Sequence, residues 1–426
     1  MGNDFTAGYV RRVVDVQLDD LLRQLPALLL DGPKAVGKTA TAEQRATTVW
    51  QLHRPAVARV VEADPLLALR ADPPVLFDEY QRVEPLWDEV KDFVDRDPTP
   101  GRVLLTGSAP PPGSHSGAGR IAAVRLRPLT LPERGASDPT VSLTGMFRGD
   151  AAVTGRCDLR LDDYTDLILG SGFPGMQHLT GNALTTQLDG YLDRIADRDL
   201  VEAGLRVRRP ATFKAWLRAY GAAVATTASW EKIRDAASPG HGDKPAKTTT
   251  LPYIDVLTQL RILDELPAWA PSRNHLNRLT GVPKHHLADP ALAARLTGMT
   301  KARLLTGVGR AFTPNDGTYL GQLFESLATL SVRVFAGSCA AEASHLRLDS
   351  GRREVDVIAE RAEDGAVVAF EVKLSADVGD DDVKHLVWLR EQLGEQFADG
   401  AVLTTGEHAY RRPDGIAVVP LGLLGP

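Results

Sequence analysis

The run Gly32-Pro33-Lys34-Ala35-Val36-Gly37-Lys38-Thr39 fits the spacing G-x-x-x-x-G-K-[ST] without a mismatch. That spacing suits a phosphate cradle. Backbone N–H groups turn toward an anion, the lysine reaches the β- and γ-phosphates, and the final hydroxyl binds Mg²⁺. Lys38 and Thr39 take those two roles by type and position. Leu28-Leu29-Leu30 before the run reads as a buried strand, and residues 39–45 after it read as the start of a helix. The helix N-terminus would add to the positive field at the phosphates. ATP with Mg²⁺ is the ligand this pattern calls for.

A second chemical signal follows about 40 residues on. Pro74-Val75-Leu76-Phe77-Asp78-Glu79 is an apolar run closed by two carboxylates. A buried parallel strand reads as such a run, and ligands of an open α/β sheet lie at its C-terminal end. Asp78 is then the metal carboxylate and Glu79 the base that polarises water. Arg102-Val103-Leu104-Leu105-Thr106-Gly107-Ser108 reads as a neighbouring strand, which offers Thr106 to the γ-phosphate or the water. Ser116-Gly117-Ala118-Gly119-Arg120 follows, then Arg125 and Arg127. An arginine can stabilise charge at a γ-phosphate in cis or from a neighbouring subunit, and Arg120 is the candidate.

A possible second site lies far downstream. Asp356 and the triplet Glu371-Val372-Lys373 fall on two adjacent predicted strands. Residues two apart on a strand share a face, so Glu371 and Lys373 point the same way. Two carboxylates could hold Mg²⁺ while the lysine positions water against a phosphodiester. Glu325, on the preceding predicted helix, is a further metal candidate. The same residues could equally decorate a solvent-facing sheet edge.

These side chains need elements to hold them. Residues 1–190 alternate strand and helix, with strands expected at 27–30, 57–62, 75–78 and 103–106, and helix at 87–94. Residues 166–172 read as a strand or short helix before a glycine-proline breaker. From 184 the pattern turns helical, with Leu188, Tyr191, Leu192 and Ile195 at three- and four-residue spacing. Helices at 212–220, 231–237 and 247–260 precede two short strands at 262–266 and 283–287. That order suits a winged helix or a purely structural helical lid. Residues 311–426 return to α/β, with a helix at 320–334, paired strands at 353–358 and 367–373, a helix at 383–393 and strands at 401–405 and 416–420. The expected division is 1–190, 191–310 and 311–426.

The chain has 426 residues, 43% hydrophobic and 24% charged, within the range of soluble globular proteins. It shows no apolar stretch long enough for a membrane, and its first twelve residues lack a signal-peptide pattern, so a cytoplasmic protein is expected. Cys157 and Cys339 are far apart and lack metal-ligand neighbours, which argues against a disulfide or zinc site. The net charge of −6 argues against broad nonspecific nucleic-acid binding. Residues 191–310, however, carry 19 Lys+Arg against 11 Asp+Glu, whereas 311–426 carry 10 against 19. Any contact with double-stranded DNA is therefore expected in the basic middle.

Taken together, the chain resembles a bacterial and archaeal family of P-loop ATPases with an N-terminal AAA-type domain and a C-terminal DUF4143 domain. The resemblance rests on Tyr9-Val10-Arg11-Arg12, the Gly32 to Thr39 loop, Phe77-Asp78-Glu79, Leu105-Thr106-Gly107-Ser108, Ser116-Gly117-Ala118-Gly119-Arg120, Arg127-Pro128 and Gly170-Ser171-Gly172-Phe173-Pro174. It continues through Lys284 with Asp289, Gly321-Gln322-Leu323-Phe324-Glu325, Arg353-Glu354-Val355-Asp356 and Glu371-Val372-Lys373. It implies an α/β protein: a P-loop NTPase parallel sheet, a helical or winged-helix-like middle and a restriction-endonuclease-like C-terminal domain. Three activities remain open. One is a slow ATPase that uses nucleotide to control DNA binding. Another is an ATP-controlled, metal-dependent nuclease, and the third is a nucleotide-gated module for a protein partner. Rings with a trans-acting arginine are common among AAA-type ATPases, so an oligomer is open as well.

Overall fold

The computed structural model describes residues 8–107, 119–238, 244–269, 281–306, 316–348 and 351–426. Ser108, the prolines at 110–112, Ser116-Gly117-Ala118 and residues 239–243 lie outside these residues.

The first sheet contains β1 (Ala27–Asp31), β2 (Thr48–Gln51), β3 (Val75–Asp78), β4 (Val103–Gly107) and β5 (Ile121–Arg125) in the order β2-β3-β4-β1-β5. All its pairings are parallel. Every residue of β3 and β4 is buried, because helices cover both faces of a parallel sheet. The order sets β4 between β1 and β3, so Thr106 stands level with Leu30 on one side and Asp78 on the other.

The strand expected at 57–62 is instead the helix Pro55–Ala63. Pro55 opens it at the first helical position, and Val57, Ala58 and Val61 share its inward face at three- and four-residue spacing rather than alternating. The valine-rich composition hides that period. The true second strand, β2, is a half-exposed edge strand with no alternation to reveal it. β5 was also not expected.

Helices Leu161–Leu169, Gly181–Arg194, Pro210–Ala222, Trp230–Ala236 and Lys247–Gln259 build the middle of the chain. The segment 166–172 is thus largely helical. The strands expected at 262–266 and 283–287 reduce to two antiparallel bridges, Leu263 with Leu287 and Leu266 with Lys284. Shortly after comes β6 (Ala268–Trp269), which joins the edge of the C-terminal sheet beside His345 and Leu346.

That second sheet adds β7 (Ala341–Leu348), β8 (Arg353–Arg361), β9 (Val367–Val372), β10 (Phe397–Thr404), β11 (Tyr410–Arg411) and β12 (Ala417–Pro420), in the order β11-β12-β10-β9-β8-β7-β6. Alternation along β9 feeds two cores. Val368 and Phe370 share one with Leu323 and Phe324 of the helix Asp316–Ser338. Val367 and Ala369 share the other with Val383 and Leu386 of the helix Asp380–Leu393. The three parts are not separate bodies, since one buried apolar cluster includes Leu30, Phe213 and Phe324. Leu424, near the C-terminus, pairs with Val141.

Candidate functional site

The loop after β1 holds the geometry its sequence announces. Ala35 and Gly37 both take the left-handed backbone region, at φ 64° and 100°. Gly32 is forced for another reason: a Cβ there would lie 2.3 Å from the Leu126 carbonyl oxygen. The helix Lys38–Glu43 begins directly after Gly37.

Thr39 and Thr106 both donate their hydroxyls to Asp78 Oδ1, each at 2.6 Å. Three expected residues from three separate segments thus meet at one buried carboxylate. His53 Nδ1 lies 3.7 Å from the other oxygen of Asp78. Glu79 follows in the left-handed region at φ 59°, and its Oε2 accepts from Gln81 Nε2 at 2.7 Å. Gly107 makes room for this turn, since a Cβ there would fall 2.5 Å from Gln81 Oε1. Gln81 and His53 were missed in the sequence, where only nearness to Asp78-Glu79 marks Gln81 and nothing marks His53.

Lys38 is buried, and its Nζ donates to the carbonyls of Gly32 and Pro33 at 2.8 and 2.9 Å. Burial pushes the ammonium down to about 8, opposed by Glu79, Asp31 and Asp78. Lys34 turns its side chain away from the loop centre to Asp199 and Glu202, at 2.6 and 2.8 Å. Its backbone carbonyl accepts from Tyr191. The loop is therefore anchored to the helical middle.

A second anchor lies beneath the loop. Arg12 Nη1 donates to the Val36 carbonyl, Nη2 to the Arg127 carbonyl and Nε to Glu133 Oε1. Glu133 also accepts from the backbone N–H groups of Val13 and Thr130. Both side chains of this ion pair are 3% exposed. Glu133 carried no signal in the sequence.

Arg120 is not brought to the phosphate loop within the chain. It precedes Ile121, which pairs with Ala27 at the far end of β1. Five residues of strand put roughly 16 Å between it and the loop. There it forms an exposed pair with Asp95 at 2.7 Å. The arginines at the correct end are Arg125 and Arg127, which reach Asp264 at 3.4 and 2.8 Å. Arg333 joins them on Asp264 at 3.1 Å.

The C-terminal candidates do come together, with an unforeseen centre. Lys284 Nζ lies 2.7 Å from Glu325 Oε1, 2.9 Å from Asp356 Oδ1 and 3.1 Å from Glu354 Oε1. Asp356 Oδ2 accepts from the Val372 N–H. Glu371 Oε2 lies 3.3 Å from Lys373 Nζ. Its buried Oε1 has no hydrogen-bond partner among the described residues. Glu325 was expected to face a metal and instead receives a lysine. Among the described residues, no group of three or more His, Cys, Asp or Glu is arranged to hold a metal ion. His285 and His286 are buried, on Glu265 and Ser326 respectively.

Residues 24–134 match the family described as an AAA domain, and residues 320–424 match DUF4143, a domain of unknown function. Residues 161–303 match a second domain of unknown function, DUF8612. Uncharacterised proteins of Mycobacterium bovis and Mycobacterium tuberculosis are each 26% identical over 422 residues, covering 96% of this chain and 83% of theirs. A solved Walker-type ATPase of Pyrococcus abyssi is 16% identical with a TM-score of 0.39, over 66% of this chain and 94% of that one. Among the described residues, no helix is long and apolar enough to cross a membrane.

Proposed function

Because the chain belongs to the AAA-type P-loop ATPases that carry a C-terminal DUF4143 domain, we propose that it binds Mg-ATP at the Gly32 to Thr39 loop and hydrolyses it slowly, using nucleotide state to control DNA binding by the middle of the chain. The observation that carries the nucleotide part is the meeting of Thr39, Thr106 and Asp78 at one carboxylate beside the loop. In this reading the Thr39 hydroxyl and Asp78 hold Mg²⁺, which neutralises charge on the phosphates. Lys38 gives up the Gly32 and Pro33 carbonyls for the β- and γ-phosphate oxygens, whose charge stabilises its ammonium. Glu79, released from Gln81, accepts a proton from the attacking water. Thr106 positions that water or the γ-phosphate.

The DNA part rests on a cavity of about 500 Å³ whose lining includes Arg206, Arg208, Arg209, Lys244, Thr248 and Thr249 beside the apolar Leu205, Val207, Pro252 and Tyr253. The three arginines are exposed, and among the described residues none of them has an ion-pair partner. Lys244 is paired with Glu231 and Asp235, so the three arginines are the uncommitted cations of this groove, and beside the hydroxyls they suit a phosphate backbone. The proposed division is 1–190 for nucleotide, 191–310 for DNA and 311–426 for the C-terminal fold.

The test is ATP hydrolysis by the purified chain with and without double-stranded DNA at low salt, with Glu79→Gln as control. Stimulation by DNA is expected. Hydrolysis indifferent to DNA, with no retention on DNA, would sink the DNA part and leave a protein partner as the reading to test. Hydrolysis by Glu79→Gln at the wild-type rate would sink the assignment of Glu79.

A further inference from the structure

The C-terminal carboxylates have the types and placement of a metal-dependent phosphodiesterase centre, but their geometry fits another cation. An ammonium has three N–H donors. Lys284 directs its Nζ at three carboxylate oxygens, 2.7, 2.9 and 3.1 Å away on Glu325, Asp356 and Glu354. Those are N–H···O lengths. Mg²⁺ would need oxygens at about 2.0–2.1 Å and Ca²⁺ at about 2.3–2.6 Å. The lysine side chain is 1% exposed, so its charge is wholly committed to the cluster.

Three elements distant in sequence supply the parts. Lys284 comes from the bridged segment that also pairs with Leu266, Glu325 from the helix Asp316–Ser338, and Glu354 and Asp356 from β8. Glu371 on β9 completes the acidic face, and its buried Oε1 has no hydrogen-bond partner among the described residues. His385 Nδ1 lies 3.8 Å from that oxygen, beyond hydrogen-bond length, so the oxygen can still accept a further cation.

We propose that Lys284 is the resident cation of this centre. Its ammonium holds the position a divalent ion takes in a nuclease-type site, and it locks the 284–287 segment onto the C-terminal sheet. The carboxylates of Glu325, Asp356 and Glu371 then form a latent metal site, open to a divalent cation only when the ammonium is removed. As the chain stands, this cluster is a lysine-centred joint and not a hydrolytic centre. The proposal is independent of the nucleotide reading.

The experiment is thermal unfolding of the full nucleotide-free chain in EDTA and in millimolar Mn²⁺. The wild-type midpoint is expected to be the same in both. Lys284→Met is expected to unfold at a clearly lower temperature in EDTA and to recover most of the loss in Mn²⁺. Adding Asp356→Asn to Lys284→Met should abolish the recovery. Two outcomes would overturn the proposal: wild-type protein stabilised by Mn²⁺ in an Asp356-dependent way, or a folded Lys284→Met indifferent to Mn²⁺. Should Lys284→Met fold in neither solution, the charge-reduced Lys284→Met/Glu325→Gln/Asp356→Asn chain decides. A midpoint near wild type supports the lysine as counter-cation, because replacing a whole buried ion cluster is tolerated where breaking it is not. Failure of that chain to fold would overturn it.

Discussion

Arg261 donates its Nε to Asp31 Oδ2 at 2.6 Å, which ties the exit of the helix Lys247–Gln259 to the residue just before the phosphate loop. Arg261 itself sits in the left-handed region at φ 63°. Three residues on, Asp264 is held by Arg125, Arg127 and Arg333, from the exit of β5 and from the helix Asp316–Ser338. Burial alone would raise the Asp264 carboxyl, but these arginines bring it far below the usual range. The helix that lines the basic cavity thus ends on the strand that carries the nucleotide loop. Arg261→Ala is expected to keep basal ATP hydrolysis within about twofold and to lose its response to DNA. Paired hydrolysis assays with and without DNA measure this. An unchanged response would remove Arg261 from the coupling.

Lys38→Ala should abolish nucleotide binding, because among the described residues no other ammonium reaches the loop carbonyls it now holds. Glu79→Gln should bind ATP normally and turn over at least about 100-fold more slowly, the usual weight of a general base. Fluorescent-nucleotide binding and steady-state hydrolysis separate the two effects.

Arg12→Ala breaks a buried pair that also fastens the Val36 carbonyl. The expected loss of stability is about 3–5 kcal/mol, because Glu133 is left as an uncompensated buried charge. Adding Glu133→Gln should recover part of it. Chemical denaturation of the wild type and the single and double variants checks this, and equal losses in the single and double variants would contradict it.

Proton binding at Lys38 makes a signed prediction. The free chain holds this ammonium at about 8, against 10.5 for an unperturbed lysine. Between those values the unfolded chain binds more protons, so this residue's contribution to stability rises with pH there. Its burial therefore opposes folding fully below pH 8. Nucleotide affinity runs the other way, since phosphate needs the charged form. ATP affinity should fall as pH climbs above 8, with a proton taken up on binding. Calorimetry in two buffers of different ionisation enthalpy measures that uptake, and binding without it at this pH would contradict the assignment.

Replacing Arg206, Arg208 and Arg209 together by alanine should weaken DNA binding uniformly across sequences. It should also lower the slope of log affinity against log salt by about 1 for each phosphate no longer neutralised. A salt titration of DNA retention reads that slope. An unchanged slope would place the DNA on another surface.

The placement of residues carried on short stretches of chain was legible from the residues alone. The phosphate loop, Asp78-Glu79, the strand end at Thr106 and the Glu-x-Lys at the end of β9 can be read because local spacing and strand period dictate them. The same logic failed at 57–62, where composition suggested a strand and helical spacing prevailed. Which partners these groups meet was settled by the fold. Arg12 finds Glu133 across 121 residues, Lys284 finds Asp356 across 72 and Arg261 finds Asp31 across 230. Strand direction placed Arg120 at the wrong end of the sheet and Arg125 at the right one. The lysine inside the carboxylate cluster has the same cause. Contacts between distant segments depend on how whole elements pack, and a single sequence carries no periodic trace of that packing.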